Sequence, residues 1–235
     1  MDLMLLGGTS KSQGRAAELA YQHIRRQLLN GSYSAEDSIN QIRVAEDLGI
    51  SRVPVRDALQ RLQAEGLVTV LPNRRAVPTR LTLRELDEVF QMRAVLEGLC
   101  ARLAMPKISK NDLIELDHLV SAMERAESPD VYVIKHDAFH DLVAERAAMP
   151  RLRHELASLR EIAIPYIRIL GSGDRDAELN TLPHKALLDA IRSDDADTVA
   201  RAFSDHVTYA FAEMQEEIAQ LGGGGAVQAR VKGGA

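Results

Sequence analysis

The 235-residue chain has no tryptophan, few aromatic residues (4%) and a single cysteine, Cys100. One cysteine excludes a disulfide framework within the chain and is typical of a reducing compartment, so we expect a cytoplasmic protein with Cys100 buried as a small apolar residue. Scarce aromatic residues argue against a β-sandwich and favour a helical protein. A membrane-spanning helix needs about 18 consecutive apolar residues, and because no run approaches that length we expect no membrane span.

Charge is unevenly distributed along the chain, whose formal net charge is −5. Residues 1–80 carry 11 Lys or Arg against 8 Asp or Glu, whereas residues 81–235 carry 18 against 26. Only the N-terminal part would therefore be attracted to a polyphosphate such as DNA.

Apolar spacing predicts two domains that meet near Leu81. Within residues 15–80 it predicts three helices and then two short strands, at about 15–29, 41–48, 51–65, 67–70 and 76–79. Residues 81–221 show only helical periodicity, which predicts helices at about 83–104, 110–127, 130–147, 151–170, 177–192 and 195–221. Pro165 predicts a kink or a split in the fourth of these six helices.

Both ends of the chain have a composition typical of disorder. Residues 1–14 contain several Gly, Ser and Thr, and residues 222–235 are rich in glycine. The fold class we predict is mainly α, with a winged helix-turn-helix over residues 15–80 and an all-α helical bundle over residues 81–221.

The helix predicted over Ser51–Glu65 has two distinct faces. Its apolar residues repeat at helical spacing, while Arg52, Arg56 and Gln60 lie four residues apart on the other face. Arginine can donate to both O6 and N7 of guanine or to a phosphate, so this face suits a major groove. The residues we expect to contact DNA are Ser51, Arg52, Val53, Arg56, Gln60 and, at the tip of the wing, Arg74 and Arg75. A solvated basic helix face has the same spacing and remains the alternative.

The stretch LGISRVPVRDAL, followed by RLQAEGLV, closely resembles the signature of GntR-family regulators, LGVSRTPVREAL and RLEAEGLV. The resemblance covers about residues 15–80 and implies that Arg52 and Arg56 are the main DNA contacts, with Ser51 and Val53 beside them. Two positions depart from the family pattern. Val53 replaces a threonine and suits a thymine methyl better than a phosphate, and Arg75 replaces a glycine at the wing tip.

Four of the seven histidines have a spacing that suggests a common site. His136 and His140 lie four residues apart on one predicted helix, and His184 and His206 lie on the last two helices. A bundle can bring three helices to one point, and neutral imidazoles bind Zn(II), Ni(II), Cu(II) and Fe(II). Four unrelated histidines remain the alternative.

Residues 82–221 resemble the FCD domain of the FadR subgroup of this family. The matching motifs are RAVLE at 93–97, FH at 139–140, and HKALLDAI at 184–191 followed by Asp197 and His206. Many such domains bind a divalent metal through one aspartate and three histidines, which implies His140, His184 and His206 as ligands. His136 occupies the aspartate position, so the resemblance implies an all-nitrogen site that favours Zn(II) or Ni(II) over Mn(II). A degenerate, empty site is the alternative.

In related domains the metal helps to hold a carboxylate effector. Arg93 is the residue we expect to anchor this carboxylate, because a guanidinium can donate to both of its oxygens. An ion pair with Glu97, one turn further along the helix, fits the sequence equally well. Arg160 and Arg168 are further candidates.

These features predict a transcription regulator, more commonly a repressor in this family, and not an enzyme. We expect a homodimer that binds a palindromic operator in double-stranded DNA and responds to a small carboxylate effector. One alternative is an effector-free dimeric DNA-binding protein with an empty metal site. A remote alternative is a zinc hydrolase, because His136-Asp137-x-x-His140 resembles HExxH, although aspartate is shorter than glutamate and would reach the water poorly.

Overall fold

The computed structural model describes residues 6–33, 37–171 and 177–220. The chain divides into two compact units, Met1–Arg80 and Leu81–Ala235. No helix in the described ranges is both long enough and apolar enough to cross a membrane.

The first unit is a winged helix-turn-helix, as the sequence predicted. Its elements are α1 (Leu6–Leu29), α2 (Gln41–Leu48), α3 (Arg52–Ala64), β1 (Val68–Val70) and β2 (Ala76–Pro78). The two strands pair antiparallel, with Val68 opposite Pro78. Asn40 begins α2 by accepting hydrogen bonds from two backbone amides, and Gly49 ends it with φ +63°, a left-handed conformation that glycine adopts without a Cβ clash.

The core of this unit lies mainly between α1 and α3. Ile24, Val55 and Leu62 are completely buried there. Arg61 closes one edge of the same interface, since its guanidinium lies 3.6 Å from the ring centroid of Tyr21 and 2.9 Å from the carboxylate of Glu18. These contacts hold α3 firmly against α1 and leave its opposite face to solvent.

The beginning of α1 differs from the sequence prediction. Disorder was expected over residues 1–14, but α1 begins at Leu6, so residues 6–14 are helical. Extending an existing helix adds one hydrogen bond for each residue fixed, and this outweighs the poor helix propensity of the glycines in that stretch. Residues 1–5 lie outside the described part of the chain, as do residues 221–235, which contain the predicted disordered tail.

All the regular secondary structure in the described part of the second unit is helical. They are α4 (Leu83–Ala104), α5 (Lys110–Glu124), α6 (Pro129–Arg146), α7 (Pro150–Gly171), α8 (Ala177–Arg192) and α9 (Ala196–Gln220), with a short 3-10 turn at Met105–Lys107. The all-α bundle predicted from the sequence is confirmed. Pro165 lies inside α7 and does not divide it.

Local capping and close packing set the position of α4. Thr82 and Glu85 form a reciprocal capping box at its first turn, which satisfies two backbone amides that would otherwise lack partners. Near its middle, a Cβ on Gly98 would lie 2.8 Å from the carbonyl oxygen of Ala200. Glycine therefore allows α4 to approach α9 closely.

A large buried cluster of this unit lies where α4, α5, α6, α8 and α9 meet. Its biggest side chains include Leu116, Met123, Phe139, Leu187 and Phe203. Phe139 stacks on Phe203 with ring centroids 6.4 Å apart, and it also contacts the rings of His140 and His184 edge to face. The apolar core is thus continuous with a group of histidines and fixes their rings.

Candidate metal centre and DNA-binding surface

Three helices bring the four predicted histidines to one point. His136 and His140 come from α6, His184 from α8 and His206 from α9. The ring centroids of His136 and His140 are 4.6 Å apart, as are those of His184 and His206. One nitrogen from each of the four rings lies within 4.8 Å of the others. Zn–N bonds of about 2.0–2.1 Å place two nitrogens on one tetrahedral ion about 3.3 Å apart, so four nitrogens within 4.8 Å of one another are close enough to converge on one divalent ion.

Three of the histidines, His136, His140 and His184, are buried, and His206 is partly buried. Burial, together with the charge of neighbouring groups, holds the pKa of His136 and His184 well below the usual range and lowers the pKa of His206 to about 3. Both ring nitrogens of His184 and Nδ1 of His206 are buried without a hydrogen-bond partner among the described residues. Buried polar atoms without partners are rare, and a cation bound by their lone pairs would satisfy them. The donor set therefore fits a divalent metal.

An ion pair lies beside this cluster on α4. Arg93 is only 2% exposed, and its Nε and Nη2 donate to Oε1 of Glu97 at 3.1 and 2.9 Å. Burial alone would raise the pKa of Glu97, but the adjacent His140 and Arg93 hold it well below its usual range. The ion pair that the sequence offered as one role for Arg93 is therefore present, and Nη1 of Arg93 stays buried without a partner in the described structure.

A second buried arginine approaches from α7. Arg160 is 2% exposed and its Nη1 lies 3.3 Å from the half-exposed carboxylate of Asp137. Its Nε has no hydrogen-bond partner within the described ranges. Asp137 is thus committed to an arginine, which does not suit it to the role of a base in an HExxH-like hydrolase. The side chain of Arg168 lies outside the described residues.

The residues predicted to contact DNA are all exposed on the first unit, and we call this set the candidate DNA-binding surface. Its members are Ser51, Arg52, Val53, Arg56, Gln60, Arg74 and Arg75. Ser51 occupies the N-cap position of α3, but its hydroxyl makes no capping hydrogen bond and is free for another acceptor or donor. Among the ion pairs of the described residues, none uses Arg52 or Arg56. The surface can therefore present two uncompensated arginines, one helical turn apart, to a major groove.

The wing tip has an unusual backbone at Arg74. This residue has φ +62°, and its amide donates to the carbonyl of Leu71 at 2.8 Å, which closes a tight turn. The residue in the left-handed conformation is therefore Arg74. The family pattern has its glycine at the next position, which Arg75 occupies here. Both arginines are exposed at the tip, where they could reach the DNA backbone.

Sequence reasoning missed two contacts at the candidate metal centre. Nδ1 of His140 lies 2.8 Å from Oε2 of Glu97, and Asp137 pairs with Arg160. Both contacts join different helices, so spacing along one helix could not reveal them. The one sequence signal that could have indicated the contact with His140 was the acidic residue Glu97 inside the RAVLE motif.

The winged head with an exposed arginine face and the helical unit with a buried histidine cluster define a DNA-binding transcription regulator. Residues 16–77 match the gntR family of bacterial regulatory proteins, and residues 88–209 match the FCD domain. The chain belongs to the GntR family and carries an FCD domain.

Individual relatives agree with this assignment. The HTH-type transcriptional regulator YdhC of Bacillus subtilis is 25% identical over 177 residues, which cover 73% of this chain and 79% of YdhC. The HTH-type transcriptional repressor RspR of Escherichia coli is 22% identical over 206 residues, covering 86% and 88%. The solved structure of Escherichia coli McbR/YncC superposes with a TM-score of 0.74 at 25% identity, covering 86% of this chain and 98% of McbR. These relatives are transcription regulators and not enzymes, which excludes the hydrolase interpretation.

Proposed function

We propose that this protein is a repressor whose binding to a palindromic operator changes when a small organic acid binds beside a divalent metal in the FCD domain. The observation that carries the proposal is the convergence of four imidazoles, three of them buried, next to a buried arginine that keeps one N–H without a partner among the described residues. The relative RspR is named a repressor, which supports the direction of regulation.

The metal we propose is Zn(II) or Ni(II), held by His136, His140, His184 and His206. Imidazole nitrogen is a good ligand for both ions, whereas Mn(II) prefers carboxylate and water oxygens. A bound ion would supply a Lewis-acidic docking point for a carboxylate oxygen. Because a metal-bound imidazole is neutral, none of the four would compensate the charge of the ion.

The charges around the cluster favour an anionic effector. Arg93 and Arg160 are both buried, and each keeps one N–H without a partner among the described residues. Glu97 compensates one of these positive charges from a buried position, while Asp137 approaches the other from a half-exposed one. With a divalent ion present the site has an excess of positive charge, which a carboxylate would reduce while accepting a hydrogen bond from Nη1 of Arg93.

A homodimer completes the proposal, because two heads are needed to read a palindrome. The surface that supports pairing is a line of exposed apolar residues on α4, formed by Met92, Val95 and Leu99, and we call it the α4 stripe. A groove of about 300 Å³ lies beside the stripe, between α4 and α9, and is lined largely by small and apolar side chains. We place this dimer in the cytoplasm, where it would meet its DNA.

Metal analysis of the untagged protein beside a His184→Ala variant tests the metal centre. We expect about one Zn(II) or Ni(II) per chain in the wild type and a large loss in the variant. Duplexes selected from a random pool then serve as operator in a fluorescence anisotropy titration with a panel of small carboxylic acids. At least one acid should lower operator affinity, and Arg93→Met should remove its effect.

Two results would contradict the proposal in different ways. A wild-type chain that stays metal-free after loading with Zn(II) or Ni(II) would mean that His136 cannot replace the aspartate. A metal-loaded chain whose operator affinity responds to no carboxylic acid would instead favour an effector-free dimeric DNA-binding protein.

A further inference from the structure

Glu97 occupies a buried position between a candidate anion-binding group and a candidate metal ligand. It is 3% exposed and lies on α4, where no solvent competes for its oxygens. Oε1 accepts from Nε and Nη2 of Arg93 at 3.1 and 2.9 Å. Oε2 lies 2.8 Å from Nδ1 of His140, on a different helix. One carboxylate therefore joins α4 to α6 at the edge of the histidine cluster.

The contact with Glu97 distinguishes the two nitrogens of His140. A neutral imidazole carries its proton on one nitrogen and a lone pair on the other, and an adjacent carboxylate favours the proton on the nitrogen that faces it. Nδ1 faces Oε2 at ion-pair distance, although the ring does not direct its N–H straight at the oxygen. Nε2 is buried without a partner in the described structure, and its lone pair is then available to a metal.

We infer that Glu97 is a positioning residue of the metal centre, which holds His140 in the tautomer that leaves Nε2 free for the metal. This inference rests on the proposed metal centre and deepens it. Carboxylates that orient a metal-binding histidine typically contribute 10- to 100-fold to metal affinity. The role differs from that of a structural ion pair, because it acts through the protonation pattern of a second side chain.

The same geometry couples the metal to the anion. Arg93 uses Nε and Nη2 on Glu97 and keeps Nη1 free, so a carboxylate bound at Nη1 would be separated from His140 only by Arg93 and Glu97. Binding free energies of two ligands linked in this way are reciprocal. Metal occupancy should therefore change affinity for a carboxylate, and the carboxylate should change affinity for metal by the same factor.

Zn(II) titration against a competing chelator tests the inference on the full chain. We expect Glu97→Gln to bind Zn(II) about 10- to 100-fold more weakly than wild type. The single variant leaves Arg93 buried without its partner, so a second variant guards against misfolding. Arg93→Met/Glu97→Leu removes both charges of the buried pair and should fold even if Glu97→Gln does not. We expect this double variant to bind Zn(II) about 10- to 100-fold more weakly as well. Asp112→Asn breaks a different carboxylate–arginine pair of the same unit and should leave Zn(II) affinity unchanged.

A spectroscopic measurement separates positioning from mere structural support. Long-range ¹H–¹⁵N correlation spectra of the histidine rings should show His140 protonated on Nδ1 in the wild type. The Glu97→Gln spectrum should show loss of that preference while the other rings keep theirs.

Equal Zn(II) affinity in wild type and Glu97→Gln, or an unchanged His140 tautomer, would overturn the inference and leave the metal centre standing. A wild type that takes up no Zn(II) would overturn both.

Discussion

At the scale of single residues, His136 would set the chemistry of the proposed metal centre. It stands where the FCD resemblance implies an aspartate, and it lies among three other imidazoles, with its ring 4.9 Å from that of His184. Burial, and then the neighbouring histidines, hold its pKa well below the usual range, so it can donate a lone pair at neutral pH. A neutral fourth ligand removes the one negative charge that would favour a harder ion such as Mn(II).

His136→Asp should restore that preference. We expect the ratio of bound Mn(II) to bound Zn(II) to rise about tenfold, equivalent to about 1.4 kcal/mol, because a carboxylate oxygen suits Mn(II) better than a nitrogen does. Elemental analysis after loading with an equimolar mixture measures the ratio. His118→Asp introduces the same charge at an exposed histidine on α5 and serves as the control. An unchanged ratio in His136→Asp would show that His136 is not a ligand.

Two exposed arginines of the candidate DNA-binding surface should have separable effects. Arg52→Ala should cost about 1–3 kcal/mol on the selected operator and little on random DNA, because a base contact is lost. Arg75→Ala should weaken binding to both DNAs alike and reduce the salt dependence by about one phosphate contact. Anisotropy titrations at several salt concentrations distinguish these outcomes. Equal losses on both DNAs for Arg52→Ala would contradict a base-reading role.

At the scale of helices, the features that depend on local sequence were predicted better than the contacts between helices. The bounds of α4 were predicted correctly from its helical periodicity, and Thr82 and Glu85 supply a capping box at the predicted start. His136 and His140 were predicted to share a face from spacing alone. Contacts such as Glu97 with His140 depend on how α4 packs against α6, which no periodicity within one helix encodes. The helical turns before Arg15 were missed because composition there indicates disorder.

The pairing of α5 with α6 should make the stability of the second unit depend on pH. Asp112 caps α5 and accepts from Nε and Nη2 of Arg146 at 3.1 and 2.8 Å. Hydrogen bonds from Arg146, and then from Ser109, lower the pKa of Asp112 from its usual value. A carboxyl whose pKa is lowered by folding stabilises the folded state above its unfolded pKa of about 3.9, and this stabilisation is lost as pH falls below that value.

Asp112→Asn should therefore lower the free energy of unfolding by about 1–3 kcal/mol at pH 7 and by less at pH 3. Urea unfolding followed by circular dichroism at both pH values measures the difference. Glu115→Gln, at an exposed carboxylate on the same helix, is the matched control and should change little. A difference between wild type and Asp112→Asn that stays the same at both pH values would argue against an ionised Asp112 as the stabilising group.

At the scale of the whole molecule, the proposed regulation requires two heads and a surface that pairs them. The α4 stripe leaves apolar side chains in water, and Val95 is 68% exposed. Pairing two copies through this stripe would bury it and fix two heads on one operator. Linked binding of two modules can exceed either single affinity by about 10²–10⁴ without any new contact to DNA.

Val95→Glu should separate the dimer, because an isologous interface brings the same residue of both copies together and the two new charges would repel one another. Sedimentation should show monomers, and operator affinity should fall by about 100-fold or more while affinity for a single half-site stays unchanged. Ile134→Glu places the same charge at an equally exposed apolar residue on α6 and should alter neither property. A dimer that persists in Val95→Glu would place the interface elsewhere, whereas a monomeric wild type would mean that the second head is recruited only on DNA.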